Sequence, residues 1–265
     1  MVTVCRGAPE RIHRPRITHR CRVNILDGVS RVLFVHAHPD DETLATGALI
    51  SEMVDRGIRV HLVTATRGER GETVAGALAE EPDPETLSQI REDELSAASA
   101  ILGISDRYWL GSTPARAGGL AERRYRDSGM AWITPELAGP SPDVTTDALV
   151  SAQLDEVAND LAALIEEIRP TLVVGYDDAG GYGHPDHVRM HDATEAACRM
   201  TNTPWAEIVA EQGDDVEWFD LEHRLPVVAS ALSAHATQVR VDGDHIVHSG
   251  GQRQTIPTSI GLRAR

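Results

Sequence analysis

Two short segments of the sequence combine histidine with aspartate in a pattern that could bind a metal ion. The first is VHAHPDDE at residues 35–42, and the second is HPDH at residues 184–187. Each comes after an apolar run, RVLFV at 31–35 and TLVVGY at 171–176. Because burying an unpaired carboxylate is costly, acidic residues at the end of a buried strand indicate either a solvated helix start or a binding site.

The candidate metal ligands are His38, Asp41 and His187. Two imidazoles and one carboxylate suit Zn²⁺, with Fe²⁺ or another divalent ion as alternatives, and they leave coordination positions open for water and substrate. A metal ion in such a site lowers the pKa of a bound water to roughly 7, which makes hydroxide available at neutral pH. The pattern therefore predicts a catalytic metal site rather than a structural one.

Residues beside these ligands are candidates for acid–base catalysis. Asp40 could accept the proton of the water, and His184 could stabilise an oxyanion or protonate a leaving amine. Asp186 could orient His184 and raise its basicity. The alternative is that Asp40 or Asp41 only caps a helix and that the histidines lie exposed in a capped turn. Two His-Pro-Asp motifs after two strands favour the catalytic hypothesis, with amide hydrolysis as the reaction.

Alternating strands and helices are expected to position these residues. Strands are predicted at 31–35, 60–66, 107–110 and 171–176, and helices at 43–56, 87–102, 145–168 and roughly 225–238. Such alternation is typical of an α/β fold, here a Rossmann-like three-layer sandwich with a mostly parallel sheet flanked by helices. Ligands bind beyond the carboxyl ends of such strands, so both His-Pro-Asp segments should face one crevice.

The chain divides by composition into three parts. Residues 1–30 carry six Arg and two acidic residues without the apolar core of a secretory signal. This composition predicts a disordered basic tail, or residues that an upstream start codon adds and that do not fold, with a mitochondrial-type transit peptide as the weaker alternative. Residues 31–202 are predicted to form the metal-dependent core. Residues 203–265 are predicted to form a shortened C-terminal segment, a small appendage that completes the substrate pocket.

Charge and hydropathy exclude several classes of function. The net charge of −16, with no basic stripe outside the tail, argues against a nucleic-acid partner. No apolar run approaches the roughly 18 residues of a membrane span. Three cysteines are too few for a disulfide framework, and the motifs of nucleotide-binding proteins are absent from the sequence. We therefore expect a cytoplasmic protein that acts on a small molecule.

At this point the motifs resemble a known family. AHPDDE after an apolar strand, paired with a later HPDH, is similar to the PIG-L/LmbE family of zinc-dependent N-deacetylases, over roughly residues 31–200 plus LSAHATQV at 232–239. RGERGE at 67–72 and RDSGM at 126–130 resemble the branch that contains the N-acetylglucosaminyl-inositol deacetylase of the mycothiol pathway. The resemblance implies a Zn²⁺ cofactor and an N-acetylated amino sugar as substrate.

The resemblance also implies a role for each matching residue. The metal ligands would be His38, Asp41 and His187, the general base Asp40, and the electrostatic or acid partner His184 with Asp186 behind it. Tyr182 would polarise the amide carbonyl. Arg91, Asp127 and Met130 would contact the sugar or the inositol, and Glu72 would lie at the same pocket. The alternatives are that Arg91 is an exposed helix residue and that Asp127 is a turn residue.

Several alternatives to this function stay open. The region between Trp205 and LSAHATQV is shorter than in the mycothiol enzymes, where it helps to wall the pocket, and this puts the substrate in doubt. A mycothiol S-conjugate amidase, a deacetylase for another N-acetyl amino sugar, and a non-catalytic sugar-binding protein are the competing hypotheses. No membrane or nucleic-acid partner is expected, and a homo-oligomer is an open alternative to a monomer.

Overall fold

A computed structural model describes residues 24–134 and 137–265 of the chain. The strands in these ranges are β1 (Arg31–His36), β2 (Arg59–Thr64), β3 (Asp106–Trp109), β4 (Met130–Thr134), β5 (Leu137–Pro140), β6 (Leu172–Tyr176), β7 (Trp205–Val209), β8 (Val216–Asp220), β9 (Val239–Asp242), β10 (His245–His248), β11 (Arg253–Thr255) and β12 (Ser259–Ala264). The helices are α1 (Asp41–Leu44), α2 (Gly47–Asp55), α3 (Pro84–Leu102), α4 (Leu154–Ile168), α5 (Gly180–Gly183), α6 (Pro185–Thr201) and α7 (Leu225–Ala234), with short 3₁₀ helices at Leu149–Ser151 and Glu222–Arg224.

The main sheet places the two motif-bearing strands side by side. Its order is β3-β2-β1-β6-β7-β12-β8. The strands from β3 to β7 run parallel, and β12 is antiparallel to both of its neighbours. Because β1 pairs directly with β6, the segments that leave their carboxyl ends start from the same edge of the sheet.

Two apolar cores cover the two faces of this sheet. Side chains of β1 alternate between them, as the period of two in a strand requires. Phe34 packs in one core with residues of α2, α3 and α7, such as Leu49 and Leu95. Leu33 packs in the other with residues of α4 and α6, such as Leu161. The fold is therefore an α/β three-layer sandwich with a mostly parallel sheet, as the sequence predicted.

The segment 203–265 differs from the small appendage expected from the sequence. It contributes β7, β8 and β12 to the main sheet, and it adds a separate three-stranded sheet of β9, β10 and β11. These strands are short, and several lack the alternation of apolar and polar residues by which a strand is recognised. The apolar residues Ile260 and Leu262 of β12 nevertheless belong to the same core as Phe34 of β1.

The other predicted elements agree with the structure to different extents. The helix expected at 145–168 begins only at Leu154, because the residues before it are extended around a 3₁₀ helix. Helix α6 was missed, since its apolar residues are sparse. The tail predicted at 1–30 falls largely outside the described residues, but Leu26, which is described, is buried in the core. Among the described residues no helix has the length and hydropathy needed to cross a membrane.

Candidate metal centre and active site

The turn after β1 separates two adjacent carboxylates. Asp40 has a backbone φ of 97°, a conformation that residues other than glycine rarely adopt and that clusters at functional sites. Its N–H donates to Glu42 Oε2 over 2.9 Å, and its carbonyl accepts from the first turn of α1. The Asp40 side chain pairs with Arg91, whereas the Asp41 side chain faces histidines.

The Asp41 carboxylate lies between two imidazoles. His187 Nε2 is 3.3 Å from its Oδ1, and His38 Nδ1 is 3.4 Å from its Oδ2. The Tyr176 hydroxyl donates to the same Oδ2 over 2.7 Å, and the Tyr176 ring stacks on His187 with centroids 4.2 Å apart. The three residues predicted as ligands are thus brought together in the structure by residues of two neighbouring strands and of α6.

The outer nitrogens of both imidazoles have partners of their own. His38 Nε2 donates to Asp186 Oδ2 over 3.1 Å, and His187 Nδ1 donates to the Gly180 carbonyl over 3.2 Å. His187 Nε2 is buried and makes no hydrogen bond. Metal-binding histidines characteristically donate one N–H to a carboxylate or a carbonyl, which leaves the other nitrogen free for the ion. The arrangement therefore fits a divalent cation held by His38, Asp41 and His187.

Further acids and a third histidine surround this position. His38, His184 and His187 offer nitrogens within 4.8 Å of one another, and so do His38, Asp127, His184 and Asp186 with their ligand atoms. Asp127 Oδ1 lies 3.7 Å from His38 Nε2. Three buried carboxylates around the histidines create a negative potential, which favours binding of a cation.

Arg91 lies against the candidate base. Its Nη2 is 3.2 Å from Asp40 Oδ2, and it donates to the carbonyls of Gly68 and Pro39. A Cβ on Gly68, whose φ is +65°, would come within 2.1 Å of the guanidinium, so glycine is required at this close approach. Burial raises the pKa of Asp40 to about 6, although Arg91 opposes the shift. Arg91 is only 3% exposed, so the alternative of an exposed helix residue is wrong.

His184 is held as a neutral imidazole. It caps α6, and its Nδ1 accepts the N–H of Asp186 over 3.1 Å. Burial, followed by the charges of His38 and His187, lowers the pKa of His184 to about 2. Because Nδ1 is an acceptor, the ring proton is on Nε2, where it can be donated to a substrate oxygen.

The contacts of Asp186 differ from those expected from the sequence. Its carboxylate does not orient His184; it accepts from His38 Nε2 and from the backbone N–H and hydroxyl of Ser128. The reason is the start of α6. There the His184 ring accepts the backbone N–H of Asp186, whereas the Asp186 side chain is directed to His38. Asp186 thus fixes the ring orientation of His38.

The remaining predicted residues are Tyr182, Met130 and Glu72. The Tyr182 ring is 5.2 Å from the His187 ring, and it is partly exposed. Met130 is half-buried at the start of β4, close in sequence to Asp127. Glu72 is exposed, and its carboxylate accepts a hydrogen bond from the Ser249 hydroxyl over 3.4 Å. A contact of Met130 or Glu72 with substrate stays a prediction.

Four site residues were missed by the sequence reasoning. Tyr176 and Ser128 contact the ligands and Asp186 as described above. Glu42 and His235 form a pair with 2.8 Å between Glu42 Oε1 and His235 Nε2, and both side chains are 0% exposed. Glu42 follows the two acids of AHPDDE, and His235 stands in LSAHATQV. Both residues are polar and stand in motifs that the sequence shares with the PIG-L family, and this could have identified them.

Comparison with known proteins supports this geometry. The profile of the family "PIG-L: GlcNAc-PI de-N-acetylase" matches residues 33–198. A 1D-myo-inositol 2-acetamido-2-deoxy-alpha-D-glucopyranoside deacetylase of Kineococcus radiotolerans is 37% identical over 89% of this chain and 76% of its own length. The protein of the same name from Thermobispora bispora is 42% identical, with 83% of each chain covered.

Solved structures show the same fold at lower identity. N,N'-diacetylchitobiose deacetylase from Pyrococcus horikoshii is 19% identical, with a TM-score of 0.56 over 79% of this chain and 71% of its own. The A40926 pseudoaglycone deacetylase is 20% identical, with a TM-score of 0.54 over 78% and 82% of the two chains. The family profile matches the segments that contain both His-Pro-Asp motifs, and the two curated relatives match over most of the chain. This chain therefore belongs to the PIG-L family of de-N-acetylases and is a hydrolytic N-deacetylase.

Proposed function

We propose that this protein hydrolyses the N-acetyl group of an N-acetylglucosamine linked to inositol, with Zn²⁺ held by His38, Asp41 and His187. The substrate is supported by the names of the two curated relatives, which match over most of both chains. The observation that carries the proposal is the Asp41 carboxylate between two imidazoles, with Asp40 as its neighbour. The bound ion would supply Lewis-acid polarisation of the amide and a lowered pKa for water.

The chain's own residues would carry the proton transfers. Asp40, whose carboxylate is held by Arg91, accepts a proton from the attacking water. Its pKa of about 6 keeps it ionised at neutral pH and close to the range in which a general base works best. His184 donates from Nε2 towards the developing oxyanion, and the Tyr182 hydroxyl assists from the same loop. The carbon–nitrogen bond then breaks, the nitrogen takes up the proton that Asp40 accepted, and the products are acetate and the free amine.

Acetate release from N-acetylglucosaminyl-inositol tests this function. The zinc-reconstituted protein should release acetate, and a chelator should abolish the release. Asp40→Asn should lower kcat by about 10²- to 10⁴-fold without loss of bound zinc, because it removes the base and no ligand. His187→Gln should lose zinc and activity together, while His245→Gln on β10 should retain both.

Two outcomes would contradict the proposal. Full turnover by the Asp40→Asn protein would end the assignment of the base. Release of acetate from other N-acetylated sugars but not from N-acetylglucosaminyl-inositol would move the protein to the deacetylase alternative for another sugar. A bimane conjugate of mycothiol is assayed in parallel. Cleavage of this conjugate in place of N-acetylglucosaminyl-inositol would identify the S-conjugate amidase.

A further inference from the structure

A charged cavity and an apolar surface both adjoin the candidate active site. Beyond Asp127 lies a cavity of about 500 Å³. Its charged lining residues are Glu69, Arg70, Asp83, Glu85, Arg126 and Asp147. Such a lining offers donors and acceptors of hydrogen bonds in many directions, which is the chemistry that recognises a polyhydroxylated ring.

The β4–β5 hairpin carries a surface with three exposed apolar side chains, those of Trp132, Ile133 and Leu137. We call it the hairpin patch. The three side chains are 53%, 65% and 46% exposed. The described residues of the two strands include no charged side chain. Large apolar side chains exposed together on one hairpin indicate a surface that binds something.

The hairpin patch is continuous with the catalytic loop. The rings of Trp132 and Tyr182 stack with centroids 5.9 Å apart, and Tyr182 in turn contacts the His187 ring. Gly183 lies directly under the hairpin, since a Cβ at this position would come within 2.7 Å of Leu137 Cδ1 and 2.9 Å of the Ala138 carbonyl. The apolar surface thus begins at the residue proposed to polarise the amide.

We propose that the hairpin patch binds the acyl side of the amide substrate, so that this enzyme accepts N-acyl groups longer than acetyl. The inference rests on the proposed hydrolase function. An N-acyl amino sugar has a polyhydroxylated end and a hydrocarbon end, and these match the charged cavity and the hairpin patch respectively. Because Trp132 lies one ring beyond Tyr182, a hydrocarbon chain longer than an acetyl methyl would extend along the Tyr182 ring towards Trp132.

The reaction itself is unchanged for a longer chain. Water adds to the acyl carbon, the carbon–nitrogen bond breaks, the nitrogen takes a proton, and a carboxylate of the same chain length leaves with the free amino sugar. Each methylene that becomes buried against the patch should raise kcat/KM by about two- to fourfold. The gain should appear in KM, because the contact is made equally in the ground state and in the transition state.

The test uses glucosaminyl-inositol carrying N-acetyl, N-butanoyl or N-hexanoyl groups. Wild-type kcat/KM should rise with chain length. Because Trp132 also stacks on Tyr182, the expected effect is a ratio: Trp132→Ala should lower kcat/KM for the hexanoyl substrate, through KM, at least tenfold more than it lowers kcat/KM for the acetyl substrate. Trp132→Phe should restore most of the loss, and Leu120→Ala, at an exposed leucine outside the hairpin, should have no effect.

The outcomes separate this inference from the proposed function. Hydrolysis of the acetyl substrate with no hydrolysis of the hexanoyl one would overturn the inference and leave the deacetylase intact. Equal losses for all three chain lengths in Trp132→Ala would place the sugar, not the acyl chain, on the patch. Calorimetric binding to the Asp40→Asn protein gives a readout without turnover: the hexanoyl compound should bind about tenfold more tightly than the acetyl one, and equal binding would also overturn the inference.

Discussion

At the scale of single residues, hydrogen bonds from neighbouring side chains and backbone groups orient each candidate metal ligand. Asp41 Oδ2 accepts hydrogen bonds from the Tyr176 hydroxyl and from the backbone N–H of His38. Asp41 Oδ1 is therefore the oxygen that faces His187. His38 is oriented from behind by Asp186, which is itself held by Ser128. A preorganised set of this kind binds a cation without paying for reorientation of its ligands.

Tyr176→Phe tests this arrangement at one atom. The substitution removes the hydroxyl that donates to Asp41 and accepts from the Ala37 N–H, while it retains the ring that stacks on His187. We expect a loss of metal affinity of about 10- to 100-fold, as for other residues that orient ligands. Competition titration with a zinc indicator measures it. Unchanged affinity in a folded Tyr176→Phe protein would show that the hydroxyl does not orient Asp41.

At the scale of elements, α7 supports the turn that carries Asp40, the proposed base. His235, directly after α7, binds Glu42 in α1, and Glu42 accepts the N–H of Asp40 in its positive-φ conformation. Strained backbone persists only where the surroundings hold it. His235, which is 193 residues from Glu42 in sequence, therefore helps to hold the backbone of Asp40 through Glu42.

His235→Leu should lower kcat while leaving zinc content unchanged. It removes the donor to Glu42 and leaves a buried carboxylate without this partner, which also costs about 1–3 kcal/mol of stability. His235→Gln retains a donor and should recover part of kcat. A steady-state kinetic analysis with metal stoichiometry checks both variants. If His235→Leu folds and turns over substrate as fast as wild type, the pair has only a packing role.

Elements with a clear period could be predicted from the sequence, and long-range contacts could not. Strands β1, β2 and β6 are continuous apolar runs, and their carboxyl ends directed attention to both His-Pro-Asp segments. Helix α6 and strand β12 gave no comparable signal. The partner of Arg91 and the direction of the Asp186 side chain depend on how distant segments pack, which local sequence does not encode.

At the scale of the whole molecule, residues 203–265 are part of one packed unit with the core. Strand β12 lies between β7 and β8, and the Ile25 N–H donates to Glu217 of β8 over 2.5 Å. In the same segment, Arg224 directly before α7 forms an ion pair with Glu52 of α2 over 2.8 Å and a second one with Asp55. Residues 203–265 are therefore joined to the core by sheet pairing and by ion pairs.

The pH dependence of stability tests the contact between Glu52 and the C-terminal segment. Burial alone would raise the pKa of Glu52, but hydrogen bonds from Arg224, Arg56 and His223 lower it from 4.5 to about 2. A carboxyl whose pKa is lower in the folded state stabilises the fold above its unfolded pKa, and this contribution is lost as the pH falls from 4.5 towards 2. The side chain is 12% exposed and solvent screens the pairs, so we expect Glu52→Gln to cost about 1 kcal/mol at pH 7.

Urea unfolding of wild type and Glu52→Gln between pH 7 and pH 3.5 measures this contribution. The difference in unfolding free energy between the two proteins should be constant down to about pH 5 and should shrink below it, because the unfolded chain takes up the proton first. Glu222→Gln, at an exposed glutamate of the neighbouring 3₁₀ helix, is the matched control and should follow wild type. A Glu52→Gln difference that stays the same at pH 3.5 would mean that Glu52 stabilises the junction through packing rather than through its charge.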